Sequence, residues 1–184
     1  MQTQRLSEDD LCRAFAEKVA DSEDFKNWIL SRTKFAAGRF SSRLLKQEQA
    51  LARPRVLPDR WWRHWFWRIT ELEKEHETDV LLWFADDAEG LRFVLHVELK
   101  LGSKLTAGQA ASYAPRARHV LKYEKRLPHQ DFATVFIAPT KTILASGADS
   151  DLFDAVISLE EVGVFIQDFA RATTQATPPA TKGA

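Results

Sequence analysis

Cysteine is almost missing from this chain, which has one among its 184 residues. That single residue, Cys12, excludes an internal disulfide bond and a zinc site built from cysteines. Cys12 shares a helical spacing with Phe15 and Val19, so we expect it to fill the core rather than to act as a nucleophile. Internal repeats and a glycine-rich phosphate-binding loop are also absent from the sequence.

Long apolar runs are missing as well. No segment reaches the roughly 18 apolar residues of a membrane-spanning helix, and residues 1–5 do not begin a signal peptide. We therefore expect no membrane partner and a cytoplasmic location. A hydrophobic content of 45% favours a packed core, and the length predicts a single domain over residues 1–171. Residues 172–184, rich in Thr, Ala and Pro, should form a disordered tail.

Net charge is the third absence, because 26 Lys and Arg residues balance 26 Asp and Glu residues. Strong nonspecific nucleic-acid binders usually carry a basic excess, so this balance argues mildly against that class. It does not exclude a nuclease, since acidic metal ligands offset local basic residues.

The chain does contain two strand-like runs, 78–84 and 91–101, separated by a polar turn that includes Gly90. Both runs are rich in strand-forming residues, which predicts a β-hairpin. Side chains alternate between the two faces of a strand. One face of the second run carries Phe93, Leu95, Val97 and Leu99. The other carries Arg92, Val94, His96, Glu98 and Lys100.

Three charges meet at one end of this hairpin. Glu98 and Lys100 point the same way, roughly 6.6 Å apart, and pairing across the turn brings Asp79 close to both. Two such carboxylates repel unless a cation lies between them, and Mg²⁺ prefers one or two carboxylates with water and phosphate oxygens. A lysine there can orient or help deprotonate an attacking water and stabilise charge on the phosphate. These are the parts of a phosphodiester hydrolase, although Glu-x-Lys also arises by chance as a solvated pair.

The helix after the hairpin has Thr106 as its expected N-cap and places Gln109, Tyr113 and Arg116 on one face. With these residues the chain resembles the PD-(D/E)XK nuclease superfamily. The matching positions are Asp79, then Glu98-Leu99-Lys100, then a Gln-x-x-x-Tyr motif at Gln109 and Tyr113. One departure is that Thr78 stands where proline often precedes the aspartate.

The resemblance implies an α/β, restriction-endonuclease-like fold with an αβββαβ core and a mixed sheet flanked by helices. It implies a Mg²⁺-dependent nuclease, with Mn²⁺ as a substitute metal and DNA as the commonest substrate. Asp79, Glu98 and the backbone carbonyl of Leu99 would bind the metal, and Lys100 would position the attacking water. The glutamine and tyrosine of the helix motif would support the site or contact the substrate.

The superfamily's first core helix often supplies a further acid near the metal. Glu8 and Glu17 are the candidates here, with a solvated acid as the alternative for either. We expect two short helices or one bent helix over residues 7–31. A further helix should run from Ser41 or Ser42 through Leu51.

A strand at 64–72 should pair with 78–84, completing a three-stranded meander. Pro115 should kink or restart the helix that follows the hairpin. A buried strand at 131–139 should then pair in parallel with the second hairpin strand. An edge strand at 153–157 and a helix opened by a Ser158 capping box, running through Phe169, complete the expected fold.

Arg116, Arg118 and Lys122 lie in the most basic segment and are the preferred track for a nucleic-acid backbone, with a solvated helix face as the alternative. The tryptophan-rich segment 61–67 stacks on bases, lies in the core, or forms a surface for a homodimer or larger complex. His96 contacts phosphate or a metal-bound water, or is buried and satisfied by a neighbour.

Two alternatives to a free-standing nuclease stay open. One is a non-catalytic module of the same fold that binds nucleic acid or a protein. The other is a nuclease subunit that is active only in a larger complex.

Overall fold

The computed structural model describes residues 6–52, 56–63, 67–69, 74–76 and 78–175. The helices are α1 (Glu8–Asp21), α2 (Glu23–Ser31), α3 (Lys46–Leu51), α4 (Gln109–Tyr123), α5 (Thr140–Ser146), α6 (Leu159–Gly163) and α7 (Gln167–Gln175). The strands are β1 (Ser42–Leu44), β2 (Trp67–Ile69), β3 (Lys74–His76), β4 (Val80–Asp86), β5 (Leu91–Leu99), β6 (Asp131–Ala138) and β7 (Ala155–Ser158). Short 3₁₀ turns lie at Pro58–Arg60 and Gly147–Leu152.

Five strands form one mixed sheet in the order β1-β4-β5-β6-β7. The predicted hairpin is confirmed: β4 and β5 pair antiparallel, with Val80 opposite Val97, around a turn in which Gly90 has a φ of 63°. That left-handed conformation suits glycine because it has no Cβ. The predicted parallel strand is also confirmed, since β6 pairs in parallel with β5, and β7 extends the parallel half.

Helices cover both faces of this sheet. The predicted apolar face of β5 packs with buried residues of α1, α2 and α7 in one continuous core, which includes Phe15, Phe25 and Phe169. The opposite face packs against α4, through Val120 near the hairpin and Tyr113 near β6. Because α4 leaves β5 at its Glu98 end, this packing places the helix's first turns over the predicted site.

The N-terminal helices form because their caps and acids match the ends of a helix. Ser7 and Asp10 form a capping box at α1, and its first turn is acidic, as the positive end of a helix dipole favours. Ser22 is extended and caps α2, so the expected bent region is two separate helices.

The predicted meander is wrong in its first strand. The strand that pairs with β4 on its outer side is β1, and residues 67–69, the described part of the predicted strand, pair elsewhere. Within the described residues, β2 pairs only with β3, in a separate two-stranded sheet. The helix expected from Ser41 or Ser42 begins only at Lys46, because Ser42–Leu44 form strand β1 of the sheet. Gly38 allows the chain just before β1 to lie against Asp86 of β4, since a Cβ at position 38 would lie 2.0 Å from Oδ2 of Asp86.

Two helix ends differ from expectation, and helix α4 is not interrupted at Pro115. Of the two outcomes expected there, a kink or a restart, the restart does not occur, because α4 is one helix through that proline. Its N-cap is Gly108, with a φ of 76°, rather than Thr106. The capping box at Ser158 is confirmed, but its helix ends at Gly163 and α7 follows as a separate element.

The C-terminal boundary needs one correction as well. Helix α7 runs to Gln175, so residues 172–175 of the expected tail are helical, and the rest of that tail lies outside the described residues. Ala172 is buried in the core, which explains why the helix extends past the predicted boundary. Among the described residues, no helix is both long enough and apolar enough to cross a membrane.

Candidate functional site

The hairpin register brings Asp79 beside the end of β5. Val80 is opposite Val97, which puts the preceding residue, Asp79, next to Glu98. The contact is specific, because the Leu99 backbone N–H donates to Oδ2 of Asp79 at 2.8 Å. The predicted meeting of the two carboxylates at one end of the sheet is therefore confirmed.

Glu98 is the centre of the site. Its side chain is 1% exposed, and its Oε1 lies 2.6 Å from the Lys100 ammonium. The same oxygen accepts a hydrogen bond from Nε2 of Gln109 at 2.6 Å. The Tyr113 hydroxyl donates to the other oxygen, Oε2. A buried carboxylate is costly unless it is paired and hydrogen-bonded, and these three donors satisfy that requirement.

Helix α4 aims two of those donors at the carboxylate. Gln109 and Tyr113 are four residues apart and so lie on one helix face. Tyr113 is fixed by packing against Phe153, with ring centroids 5.0 Å apart. Both the backbone N–H and the hydroxyl of Thr106 donate to Oε1 of Gln109, at 3.0 and 3.2 Å, which turns the amide N–H₂ toward Glu98. The sequence did not reveal this role of Thr106, since its spacing suggested a cap.

The electrostatics follow from burial and the close carboxylates. Burial first, and then the Glu98 charge, raise the pKa of Asp79 to about 8, against opposing effects of the Leu99 N–H and of Lys100. Burial works against the charge of Lys100, but Glu98 outweighs it, so the pKa of Lys100 is raised. Burial and Glu98 raise the pKa of Tyr113 well above its ordinary value. Lys100 therefore acts as a cation, and the Tyr113 hydroxyl as a hydrogen-bond donor.

A cavity of about 560 Å³ opens onto these groups. It is lined by Glu8, Asp9, Cys12, Arg63, Asp79, Glu98, Lys100 and Gln109. Cys12 also belongs to the core, and burial followed by the Asp79 charge raises the pKa of its thiol, as expected of a packed residue rather than a nucleophile. Within the described ranges, no three His, Cys, Asp or Glu side chains are grouped to hold a metal ion.

The two candidate acids of the first helix have different positions. Glu8 lines the cavity, and its Oε1 accepts the backbone N–H of Leu101 at 2.9 Å, just after Lys100. Glu17 lies elsewhere, bound to Lys46 Nζ at 2.6 Å and to Trp61 Nε1 at 2.8 Å. Of the two candidates, Glu8 is thus the one that lies at the site, beside Asp9 of the same helix, and Glu17 has a structural role.

The predicted basic track keeps two of its three members at the surface. Arg118 and Lys122 are exposed on α4. Arg116 is only 2% exposed, and its guanidinium lies 3.8 Å from the Tyr113 ring centroid. It also donates to the Thr78 hydroxyl at 3.3 Å. The prediction of Arg116 as a phosphate contact is corrected, because the side chain lies inside the protein beside the site.

The tryptophan-rich segment is partly core. Trp61 and Trp62 are 2% and 1% exposed, so neither stacks on bases nor forms a docking surface. Residues 64–66 of the predicted segment 61–67 lie outside the described residues. Arg63, next to the buried pair, lines the cavity. Its place depends on backbone pairing with Val80 across the sheet edge, which no sequence pattern indicates.

His96 is fully buried on the β5 face that carries Glu98. Neither ring nitrogen has a hydrogen-bond partner in the described part of the chain, so the expectation of a satisfied buried histidine is wrong. Burial first, then His129 and Arg116, lower the pKa of His96 well below its ordinary value. His96 does not line the cavity with Glu98 and Lys100.

Comparison of the chain with protein-family models, with curated proteins and with solved structures finds no match.

Proposed function

We propose that this protein is a Mg²⁺-dependent nuclease with a restriction-endonuclease-like fold, which hydrolyses phosphodiester bonds in nucleic acid, most commonly DNA. The observation that carries the proposal is the convergence of Asp79, Glu98 and Lys100 in one cavity, with Gln109 and Tyr113 on the Glu98 carboxylate. Asp79 directly precedes β4, Glu98 lies on β5, and Lys100 directly follows β5. Gln109 and Tyr113 lie on helix α4. The proximity of these residues in the folded protein supports the resemblance that their sequence motifs indicate.

The donor set fits one Mg²⁺ ion. Asp79, Glu98 and the Leu99 carbonyl would hold it, since Mg²⁺ needs only one or two carboxylates beside water and phosphate oxygens. A carboxylate offers about four lone-pair sites, and Glu98 uses three on its protein donors. Burial first, and then repulsion from Glu98, raise the pKa of Asp79, and a divalent cation between the two carboxylates would relieve that repulsion. When bound, the ion supplies Lewis-acid polarisation of the phosphate and lowers the pKa of a coordinated water.

The chain's own residues hold and orient the reactants. The Lys100 side chain is 14% exposed and lines the cavity, where its ammonium would stabilise negative charge developing on the phosphate and orient the attacking water. Gln109 and Tyr113 fix the Glu98 carboxylate, so that it needs no reorganisation during the reaction. Arg118 and Lys122 give an exposed basic stretch of α4 for the nucleic-acid backbone.

The test is a cleavage panel. Wild-type protein and Asp79→Asn are incubated with supercoiled plasmid, single- and double-stranded DNA oligonucleotides and RNA, each with Mg²⁺, Mn²⁺ or chelator. We expect cleavage of at least one substrate that requires the metal and that Asp79→Asn abolishes. No cleavage of any substrate, or full activity of both Asp79→Asn and Glu98→Gln, contradicts the proposal.

A second candidate is a non-catalytic module of the same fold. It is favoured by the three protein donors on Glu98, because a purely structural network would contain the same contacts. Metal binding separates the two candidates, because a ligand that binds only the folded state raises its stability. The nuclease predicts a Mg²⁺- or Mn²⁺-dependent rise in Tm that Asp79→Asn removes, and the module predicts none. A homodimer or larger complex is tested by sedimentation over a concentration series.

A further inference from the structure

Arg116 is buried beside the candidate site, and its guanidinium contacts two separate parts of the chain. The residue is 2% exposed. Nη1 donates to the hydroxyl of Thr78, a residue that is itself buried, at 3.3 Å. On α4, Nη2 donates to the Ser112 hydroxyl at 3.0 Å, and the guanidinium lies 3.8 Å from the Tyr113 ring centroid. One side chain therefore joins helix α4 to the segment that precedes β4.

Each of these contacts lies next to one of the two carboxylates of the site. Thr78 directly precedes Asp79 in the chain. The Tyr113 ring that packs against the guanidinium carries the hydroxyl that donates to Oε2 of Glu98. The distance between the two carboxylates therefore depends on the contacts that Arg116 makes.

The spacing of two carboxylates matters more for Mg²⁺ than for Ca²⁺. Mg²⁺ requires near-ideal octahedral geometry with oxygens at about 2.0–2.1 Å, whereas Ca²⁺ accepts oxygens at about 2.3–2.6 Å in flexible geometry. Residues that orient metal ligands without binding the metal usually change its affinity by about 10- to 100-fold when they are replaced. A site whose carboxylates lose a fixed spacing should therefore lose more affinity for Mg²⁺ than for Ca²⁺.

We propose that Arg116 is a positioning residue that holds the Asp79 and Glu98 carboxylates at the spacing that Mg²⁺ requires, and so sets the preference of the site for Mg²⁺ over Ca²⁺. The inference rests on the proposed function, because it assigns the residue that controls metal selectivity at the same site. In this account Arg116 acts through Thr78 and Tyr113, and not by contact with the substrate.

The charge of Arg116 has a separate effect that the experiment can remove. A buried positive charge near the site repels both metal ions equally, since each carries two charges. The ratio of the two dissociation constants, Kd for Ca²⁺ divided by Kd for Mg²⁺, is therefore insensitive to that charge. Arg116→Lys also keeps the charge but replaces the planar fork with a single ammonium, so it tests the contacts rather than the charge.

Two threonine variants complete the design. Thr78→Val removes only the hydrogen bond on the Asp79 side, and it keeps the test informative if the buried arginine cannot be replaced without unfolding. Thr33→Val is the matched control, because Thr33 is also buried and its hydroxyl donates to the Leu30 carbonyl at 2.9 Å, but it does not line the cavity. A variant that only lowers stability should behave like this control.

The experiment is isothermal titration calorimetry of the metal-free protein with Mg²⁺ and with Ca²⁺, at one pH and ionic strength and without nucleic acid. Each variant is first checked for an unchanged fold by circular dichroism and Tm. We expect Thr78→Val and Arg116→Lys to weaken Mg²⁺ binding about 10-fold and Ca²⁺ binding less than about 3-fold. The ratio of dissociation constants should fall accordingly in both variants and stay at the wild-type value in Thr33→Val.

An unchanged ratio in either folded variant, Thr78→Val or Arg116→Lys, overturns the inference. An equal fall in Thr33→Val, or the absence of Mg²⁺ binding by the wild type, also overturns it. Cleavage of DNA by the wild type in Mg²⁺ is measured in parallel and decides the proposed function separately. Cleavage together with an unchanged ratio removes this inference alone. A fall of the ratio in both variants without cleavage by the wild type leaves the inference standing and removes the nuclease.

Discussion

Gln109 Nε2 lies 2.6 Å from Oε1 of Glu98, and this bond joins helix α4 to strand β5 at the candidate site. Tyr113, one helical turn later, donates to the other oxygen of the same carboxylate. One helix therefore supplies a hydrogen-bond donor to each oxygen of the Glu98 carboxylate. These two bonds set the orientation of the carboxylate and the direction of its remaining lone pair. The geometry of the site therefore depends on α4.

Tyr113→Phe should destabilise the protein. The change removes a donor to a carboxylate that is 1% exposed, and a hydrogen bond to a charged group contributes about 1.5–3 kcal/mol. The measurement is the free energy of unfolding in urea at neutral pH. Tyr123→Phe, at the half-exposed end of the same helix, is the control and should change it by less than about 0.5 kcal/mol. Equal stability of Tyr113→Phe and wild type would show that the bond to Glu98 contributes nothing.

Arg116 and Thr78 should be energetically coupled. Their hydrogen bond of 3.3 Å links α4 to the residue before Asp79. This is the position at which nucleases of the PD-(D/E)XK superfamily often have proline. Thr78→Val and Arg116→Met, singly and together, form a double-mutant cycle in urea unfolding. We expect a coupling energy of about 1 kcal/mol, because buried groups in one network are not additive. Additivity within about 0.3 kcal/mol would mean that the two residues act independently.

Asp79→Asn should stabilise the metal-free protein, and increasingly so with pH. Burial and Glu98 raise the Asp79 pKa to about 8 from an ordinary value of 3.8, so the folded state binds its proton more tightly than the unfolded chain does. The free energy of unfolding of the wild type therefore decreases as the pH rises between these two pKa values. The asparagine variant has no carboxyl group at this position and does not show that decrease.

The measurement is Tm in chelator from pH 4 to pH 9. The variant's advantage should be near zero at pH 4, grow until about pH 8, and reach at least about 2–4 °C. Asp154→Asn, outside the cavity, is the control for loss of a carboxylate. A Tm difference that is independent of pH would contradict the assigned cause.

His96→Phe should protect the protein against mild acid. The His96 pKa is lowered by burial, His129 and Arg116, so only the unfolded chain binds the proton as the pH falls below about 6.5. Wild type should lose stability between pH 7 and pH 5, and the phenylalanine variant should lose about 1 kcal/mol less. Urea unfolding at both pH values gives this difference. His119→Gln on α4 is the control, and identical pH profiles for wild type and His96→Phe would refute the prediction.

The hairpin and its charges could be predicted because their information is local. Alternation fixed which β5 residues share a face, and a short turn fixed the register that puts Asp79 beside Glu98. The Gln-x-x-x-Tyr spacing likewise placed Gln109 and Tyr113 on one helix face. These positions needed no knowledge of distant parts of the chain.

The predictions that failed concern residues whose conformation depends on contacts with distant parts of the chain. The three residues of β1 have no strand pattern of their own and are extended because the edge of β4 pairs with them. The basic segment predicts an exposed Arg116, yet its guanidinium lies against the Tyr113 ring and donates a hydrogen bond to the Thr78 hydroxyl. Arg63 lines the cavity from a backbone position that is paired with Val80, a residue distant in the sequence. A pattern within one element cannot reveal which element packs against it.

The most direct test is the rate of Mg²⁺-dependent DNA cleavage by Lys100→Ala, compared with wild type and Lys104→Ala. Lys104 has the same side chain four residues later but is exposed and outside the cavity, so it controls for general charge. Loss of a group that stabilises transition-state charge costs about 100-fold or more. The account predicts that loss for Lys100→Ala and a rate within about 3-fold of wild type for Lys104→Ala. Cleavage by Lys100→Ala at the wild-type rate would contradict it.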